Sequence, residues 1–266
     1  MSSRVLFSAL ALTLSMLTFG QEPPVRLYAA GSLRIAMTEI VQAFMAAGGP
    51  PVVATFGSSG LLRERIEGGE PADVFASADM GNPEALARAG RASAPVLFAR
   101  NRLCALLSPG IAATPDTLLQ LMLDPQIRIG TSTPKADPSG DYTWQLFEKA
   151  EKLRPGAYAK LDAKALKLTG GPNSPAPPGN RSLYGLMITE HKADIFLTYC
   201  TNAILAVREV QDARMVTLPE TLAVGADYGL TTMNNAAPGA ARFATFVLSE
   251  KAKSILVRHG FTVGTQ

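Results

Sequence analysis

The chain has 266 residues, a formal net charge of +3 and 18% charged residues. So small a positive balance gives no reason to expect nucleic acid or an acidic membrane surface as partner. The two cysteines, Cys104 and Cys200, are too few for a disulfide-built scaffold; an even count in an exported chain permits one bridge, and a free thiol buried in each apolar run is an equally ordinary reading.

The first 20 residues carry one positive charge, Arg4, then an apolar stretch over 5–19, with Thr18 and Gly20 at the spacing a signal peptidase accepts. This is the pattern of a secretory signal and predicts export to the periplasm with cleavage near Gly20. The apolar run falls short of the roughly 20 residues that span a bilayer. No cysteine stands at the cleavage point to carry a lipid, and no later run reads as a membrane span. About 245 residues remain, enough for two lobes of ordinary domain size.

From there strands and helices alternate. Residues 25–30 form a β-rich run, and Ser32 stands where an N-cap belongs, ahead of Leu33, Met37, Ile40, Val41 and Phe44 at helical spacing. Gly48 to Pro51 stops that helix. A strand over 52–56, a helix over 61–67, a strand over 73–78 and a helix over 83–89 follow. After Arg91 the series restarts with a strand at 102–107, a helix at 115–123, a strand at 127–130 and a helix at 141–152. A Gly/Pro/Asn-rich loop over 170–180 leads to a helix at 182–191 and a strand at 195–199. A strand at 228–232 and helices at 238–248 and 250–259 complete the chain. Such alternation predicts an α/β protein with mostly parallel sheets between helices.

Three strand-to-helix turns place glycine beside small hydroxyls: Ala29-Ala30-Gly31-Ser32-Leu33, Phe56-Gly57-Ser58-Ser59-Gly60 and Pro138-Ser139-Gly140-Asp141. A helix N-terminus offers unpaired N–H groups and partial positive charge, and glycine lets a ligand approach the backbone. In an open α/β sheet these turns meet at the carboxyl ends of the strands. A serine before a helix is, taken alone, usually a cap; three in the same topological position describe a pocket for an oxyanion. Tyr199 at a strand end and Arg181 at a helix start are further candidates.

Other chemistries find little support. The two histidines, His191 and His259, stand in no hydrolase pattern, and no phosphate-binding G-x-x-x-x-G-K-[ST] loop or metal-ligand spacing occurs. Asp73, Asp79 and Glu84 are accounted for by a strand running into a helix cap. No catalytic residue, cofactor or resident metal is expected.

With those turns in view, the chain resembles the periplasmic molybdate-binding proteins of bacterial import systems. The matching blocks are VRLYAAGSL (25–33), FGSSGLLRERIEGGEPADVFASAD (56–79), DPSG (137–140), ADIFLTY (193–199) and ARFATFVLSEKAKSILVRHGF (241–261). They cover the exported chain in order, and 56–79 is the most specific. The resemblance implies a two-lobed type II periplasmic solute-binding fold, each lobe a mostly parallel sheet flanked by helices. Lobe I would comprise 21–100 and 215–266, and lobe II 101–214. It implies molybdate or tungstate held without a counter-charge by the hydroxyls of Ser32, Ser59 and Tyr199 and the backbone N–H of Ser139. It implies delivery to a membrane ABC permease by a monomer.

Two departures from that pattern stand out. Arg181 lies at or beside a position where the family usually has a small apolar residue, and residues 170–182 look unlike the standard version. A guanidinium in the pocket would favour a larger or more charged ligand such as a carboxylate, phosphate or phosphonate, which makes a same-fold protein for another anion the second expectation. An enzyme on this scaffold would need an acid–base pair, for which only Asp137, Asp141 and Arg181 are near. A sensory module with a degenerate pocket would bind no anion.

Overall fold

A computed structural model describes residues 22–175 and 181–264. The signal segment expected over 1–20 and part of the loop over 170–180 lie outside the described residues. In chain order, β1 (Val25–Ala30) leads through a 3-10 turn (Gly31–Leu33) into α1 (Arg34–Ala46), β2 (Val52–Gly57) into α2 (Ser59–Glu67), and β3 (Val74–Ser77) into α3 (Gly81–Arg88). Then come β4 (Val96–Leu107), α4 (Pro115–Leu123), β5 (Ile129–Ser132), α5 (Pro138–Leu153), α6 (Ala157–Lys164) and β6 (Ala165–Thr169). The rest is α7 (Leu183–Thr189), β7 (Ile195–Tyr199), α8 (Cys200–Glu209), β8 (Arg214–Thr217), β9 (Gly225–Thr232), α9 (Ala240–Val247) and α10 (Glu250–Arg258).

The strands hydrogen-bond in the order β2-β1-β3-β9-β4-β7-β5-β6, with β8 beside β4. Two parallel groups, β2-β1-β3 and β7-β5-β6, lie at the two ends. The middle strands β9 and β4 run antiparallel to their neighbours. The α/β architecture expected from the alternation is therefore present, with an antiparallel centre. β4 joins its parts: Val96 to Arg102 pair with β9, while Leu103 to Leu107 pair with β7. Its charged Arg100 and Arg102 alternate with buried Ala99, Asn101 and Leu103, which is why a strand read from apolar residues alone starts six residues too late.

Strands covered on both faces carry few polar residues; β3 and β7 are buried along their whole length. The C-terminal helices pack on the first one. Phe243 of α9 meets Phe44 of α1 with ring centroids 5.2 Å apart, and burying each ring contributes about 1.5–3 kcal/mol. Asp73, buried just before β3, is held by two guanidinium hydrogen bonds from Arg26 (2.8 and 2.9 Å) and by the N–H groups of Arg26 and Ala237. Burial alone would raise its carboxyl; these partners pull it below the ordinary range.

Cys104 of β4 and Cys200 at the start of α8 are joined by a disulfide, Cα–Cα 4.9 Å. Ser32 is not an N-cap: the chain passes through the 3-10 turn first, α1 begins at Arg34, and no side chain caps it. The short elements α6, β6, α8 and β8 were not expected from the sequence. Among the described residues no helix is long and apolar enough to cross a membrane.

Candidate ligand-binding site

A cavity of about 640 Å³ opens where the β1–α1 and β2–α2 turns face the first residues of α5, α7 and α8. Three helix N-termini reach it without a side-chain cap. Neither the 3-10 turn nor α1 has one, Ser58 does not cap α2, and Tyr199 does not cap α8. Uncapped N-termini leave N–H donors and partial positive charge facing the space. By contrast, Ser182 caps α7 and Asp137 caps α5.

Of the five residues singled out from the sequence, Ser32, Ser59, Tyr199 and Arg181 line this cavity. The Ser59 hydroxyl, buried, accepts the Ala78 N–H at 3.1 Å. Its lone pair is thus engaged and its own hydrogen is left to donate. Ser32 Oγ lies 2.9 Å from the Tyr228 hydroxyl, which is 3.4 Å from the Asn101 amide. The Tyr199 hydroxyl makes only a long 3.4 Å bond, donating to the Ala78 carbonyl; burial drives its pKa far up, so it remains a neutral donor. Arg181 is exposed at the cavity wall.

Ser139 stands apart. It is not on the wall, and its N–H donates to Asp137 Oδ1 at 2.9 Å. Its hydroxyl is buried without a partner.

Several lining residues escaped the sequence reading. Arg34, in the first turn of α1, stacks over Phe56 at 4.9 Å and is half-buried beside Ser32. Asn202 and Tyr184 form part of the opposite wall. The Asn202 amide donates to Thr198 at 3.1 Å, and Tyr184, whose phenol burial raises, sits among Thr198, Ser132 and Thr169. Asn202 follows Tyr199 by three residues at a helix start, the one local signal that could have found it. Arg34 follows Ser32 by two residues and Tyr184 follows Arg181 by three, so both stand in turns the sequence had already singled out.

Asp137, named from the sequence only as a conceivable acid–base group, is also on the wall. Oδ1 takes the Ser139 N–H, and Ser58 Oγ donates to Oδ2 at a long 3.4 Å. No lysine or arginine among the described residues lies within ion-pair distance of it. Burial pushes its carboxyl up to about 6, against the pull of the Ser139 and Ser58 hydrogen bonds and with the nearby charge of Asp141 adding to the rise. Gly170, at φ +77°, makes room for it: a Cβ there would lie 2.5 Å from that of Asp137.

Three hydrogen bonds bridge the rim: Ser58 to Asp137, Tyr199 to the Ala78 carbonyl, and the Gly60 N–H to the Ala136 carbonyl at 3.0 Å. Gly60 is required there, because a Cβ would come within 2.7 Å of the Ala136 oxygen. The arrangement can surround a ligand with neutral donors from both sides. Among the described residues no group of three or more His, Cys, Asp or Glu could hold a metal.

The family model of the bacterial extracellular solute-binding proteins matches residues 25–262. The chain belongs to that family. This solute-binding protein is 38% identical over 206 residues to the uncharacterized protein PM1146 of Pasteurella multocida, covering 77% of this chain and 85% of that one. It is 26% identical over 239 residues to the molybdate-binding protein ModA of Mycobacterium tuberculosis, covering 88% and 82%. Its fold matches that of the Azotobacter vinelandii periplasmic molybdate-binding protein with a TM-score of 0.73 at 22% identity, over 91% of this chain and 100% of that one. The resemblance to the periplasmic molybdate-binding proteins and the type II fold it implied are thus both borne out.

Proposed function

We propose that this solute-binding protein is exported to the periplasm, closes two lobes on a small anion and delivers it, as a monomer without catalysis, to a membrane ABC permease. The first crossing would fall within β4, as expected from the sequence; the second would fall at 218–224, after β8, a few residues later than the expected 214/215 boundary, because β8 pairs with the Cys104–Leu107 part of β4. The observation that carries the reading is the convergence of three uncapped helix N-termini and the Ser32, Ser59 and Tyr199 hydroxyls on one cavity. Donors and partial charges of this kind stabilise an anion with little need of a counter-ion.

The ligand best suited to that cavity is an anion with an organic body, such as a phosphate ester or a carboxylate. A volume of about 640 Å³ falls within the range of roughly 300–1,000 Å³ typical of organic-ligand sites. Arg34 and Arg181 both stand on the wall to meet charge beyond the head group. Molybdate or tungstate is the second reading, favoured by the ligands named for the M. tuberculosis and A. vinelandii proteins and by the hydroxyl set, which could hold a bare tetrahedral oxyanion.

Calorimetric titration of the exported form with phosphate esters, small carboxylates, molybdate and tungstate tests both readings. Ser59→Ala is expected to weaken the bound anion by about 1.5–3 kcal/mol, the usual worth of a hydrogen bond to a charged group. An unchanged affinity would remove Ser59 from the site, and silence toward every anion would end the transport reading.

A further inference from the structure

The N-terminus of α5 already carries an anion of its own. Asp137 occupies it as the N-cap, with its carboxylate on the cavity wall, Oδ1 filled by the Ser139 N–H and Oδ2 only loosely met by Ser58. A cap needs no charge, since Ser, Thr or Asn would serve as well. An ionised carboxylate offers acceptors only. A second anion placed beside it with no proton between them suffers like-charge repulsion from a carboxylate that is itself withdrawn from water. A ligand that brings its own O–H resolves the conflict by donating to Oδ2.

Resting on the reading of this cavity as the anion site, we propose that Asp137 determines specificity. It admits an anion that carries a hydrogen-bond donor, such as a hydroxylated phosphate ester or hydrogen phosphate, and turns away aprotic dianions such as sulfate and molybdate at neutral pH. The other charged groups on the cavity wall are Arg34 on α1, Arg181 ahead of α7 and Glu209 on α8, with Asp141 one turn along α5. The arginines attract both classes of anion alike and Glu209 repels both, so the distinction falls to the carboxylate that can accept a proton from one class only. Below pH 6 the carboxyl takes up a proton itself and becomes a donor, so the discrimination fades in acid.

The test is calorimetry of wild type and Asp137→Asn with sulfate, molybdate, inorganic phosphate and glycerol 3-phosphate, at pH 7.5 and pH 5. Asparagine keeps the cap and supplies an N–H donor where the carboxylate had none. Wild type at pH 7.5 should hold the better of the two phosphates at least about tenfold more tightly than either aprotic dianion, with the gap narrowing at pH 5. Asp137→Asn should close the gap at both pH values, its melting temperature showing that it folds. Anions bound with the same ratio in both proteins, or molybdate bound as tightly as phosphate by wild type at pH 7.5, would overturn the role of Asp137 and leave the site standing. No binding by either protein would bring down the site reading and this inference with it.

Discussion

Asp137 also bears on the stability of the empty protein. Its carboxyl is pushed up to about 6 from the ordinary 3.8, chiefly by burial. Between about pH 4 and 6 the folded protein therefore holds more protons than the unfolded chain, and stability falls as pH rises through that window. Below it the group costs nothing; above it the cost is complete, at most about 3 kcal/mol at about 1.4 kcal/mol per pH unit. Asp137→Asn, which preserves the cap, should accordingly unfold at higher urea than wild type at pH 8 and at the same urea at pH 4. An equal difference at both pH values would show that packing, not charge, is responsible. Ser59 illustrates the opposite case of a residue whose place was legible in the sequence: a small hydroxyl at a Gly-flanked strand-to-helix turn, it lies on the cavity wall and accepts a backbone N–H. The DPSG block reads from sequence as a good helix start with Ser139 as donor. Only the three-dimensional arrangement shows that the aspartate has taken that N–H for itself.

At the level of elements, α2 meets the loop before α5 so closely that only glycine fits at position 60. Gly60→Ala should prop these elements apart, breaking the Gly60–Ala136 bond and widening the cleft. Small-angle scattering should report a larger radius of gyration for the ligand-free variant, together with weaker anion binding; an unchanged profile would mean that the loop yields instead. The elements themselves were unevenly legible. β1, α4 and β7 fall on the residues expected, because each is a clean apolar or periodic run closed by a turn signal. For α4 the start is also written locally, with Thr114 and Thr117 capping each other ahead of Pro115. α8 was missed although Cys200, Ala203 and Ala206 repeat at helical spacing, since it follows β7 with no intervening loop. β6 was missed because Leu166 and Lys167 are exposed and its pairing with β5 shifts register midway; such an edge strand has little pattern of its own.

Across the whole molecule, the disulfide closes a loop with a sequence separation of 96. A constraint of that length stabilises a fold by roughly 4–5 kcal/mol in the chain-entropy account. Reduction, or Cys104→Ala with Cys200→Ala, should lower the urea midpoint substantially, and a midpoint insensitive to reductant would mean that the denatured chain is already compact there. The bridge also fixes the start of α8, and with it Tyr199 and Asn202, to β4. That strand continues from the β9 ladder into the β7 and β8 ladders, so one strand joins the two ends of the sheet. If the lobes open as proposed, the three rim bonds would have to part, each worth about 0.5–1.5 kcal/mol. On the proposed clamp reading, the protein would be set like a balance close to its tipping point: one small solute would be enough to bring it down, and a docking partner would need no greater force to lift it again.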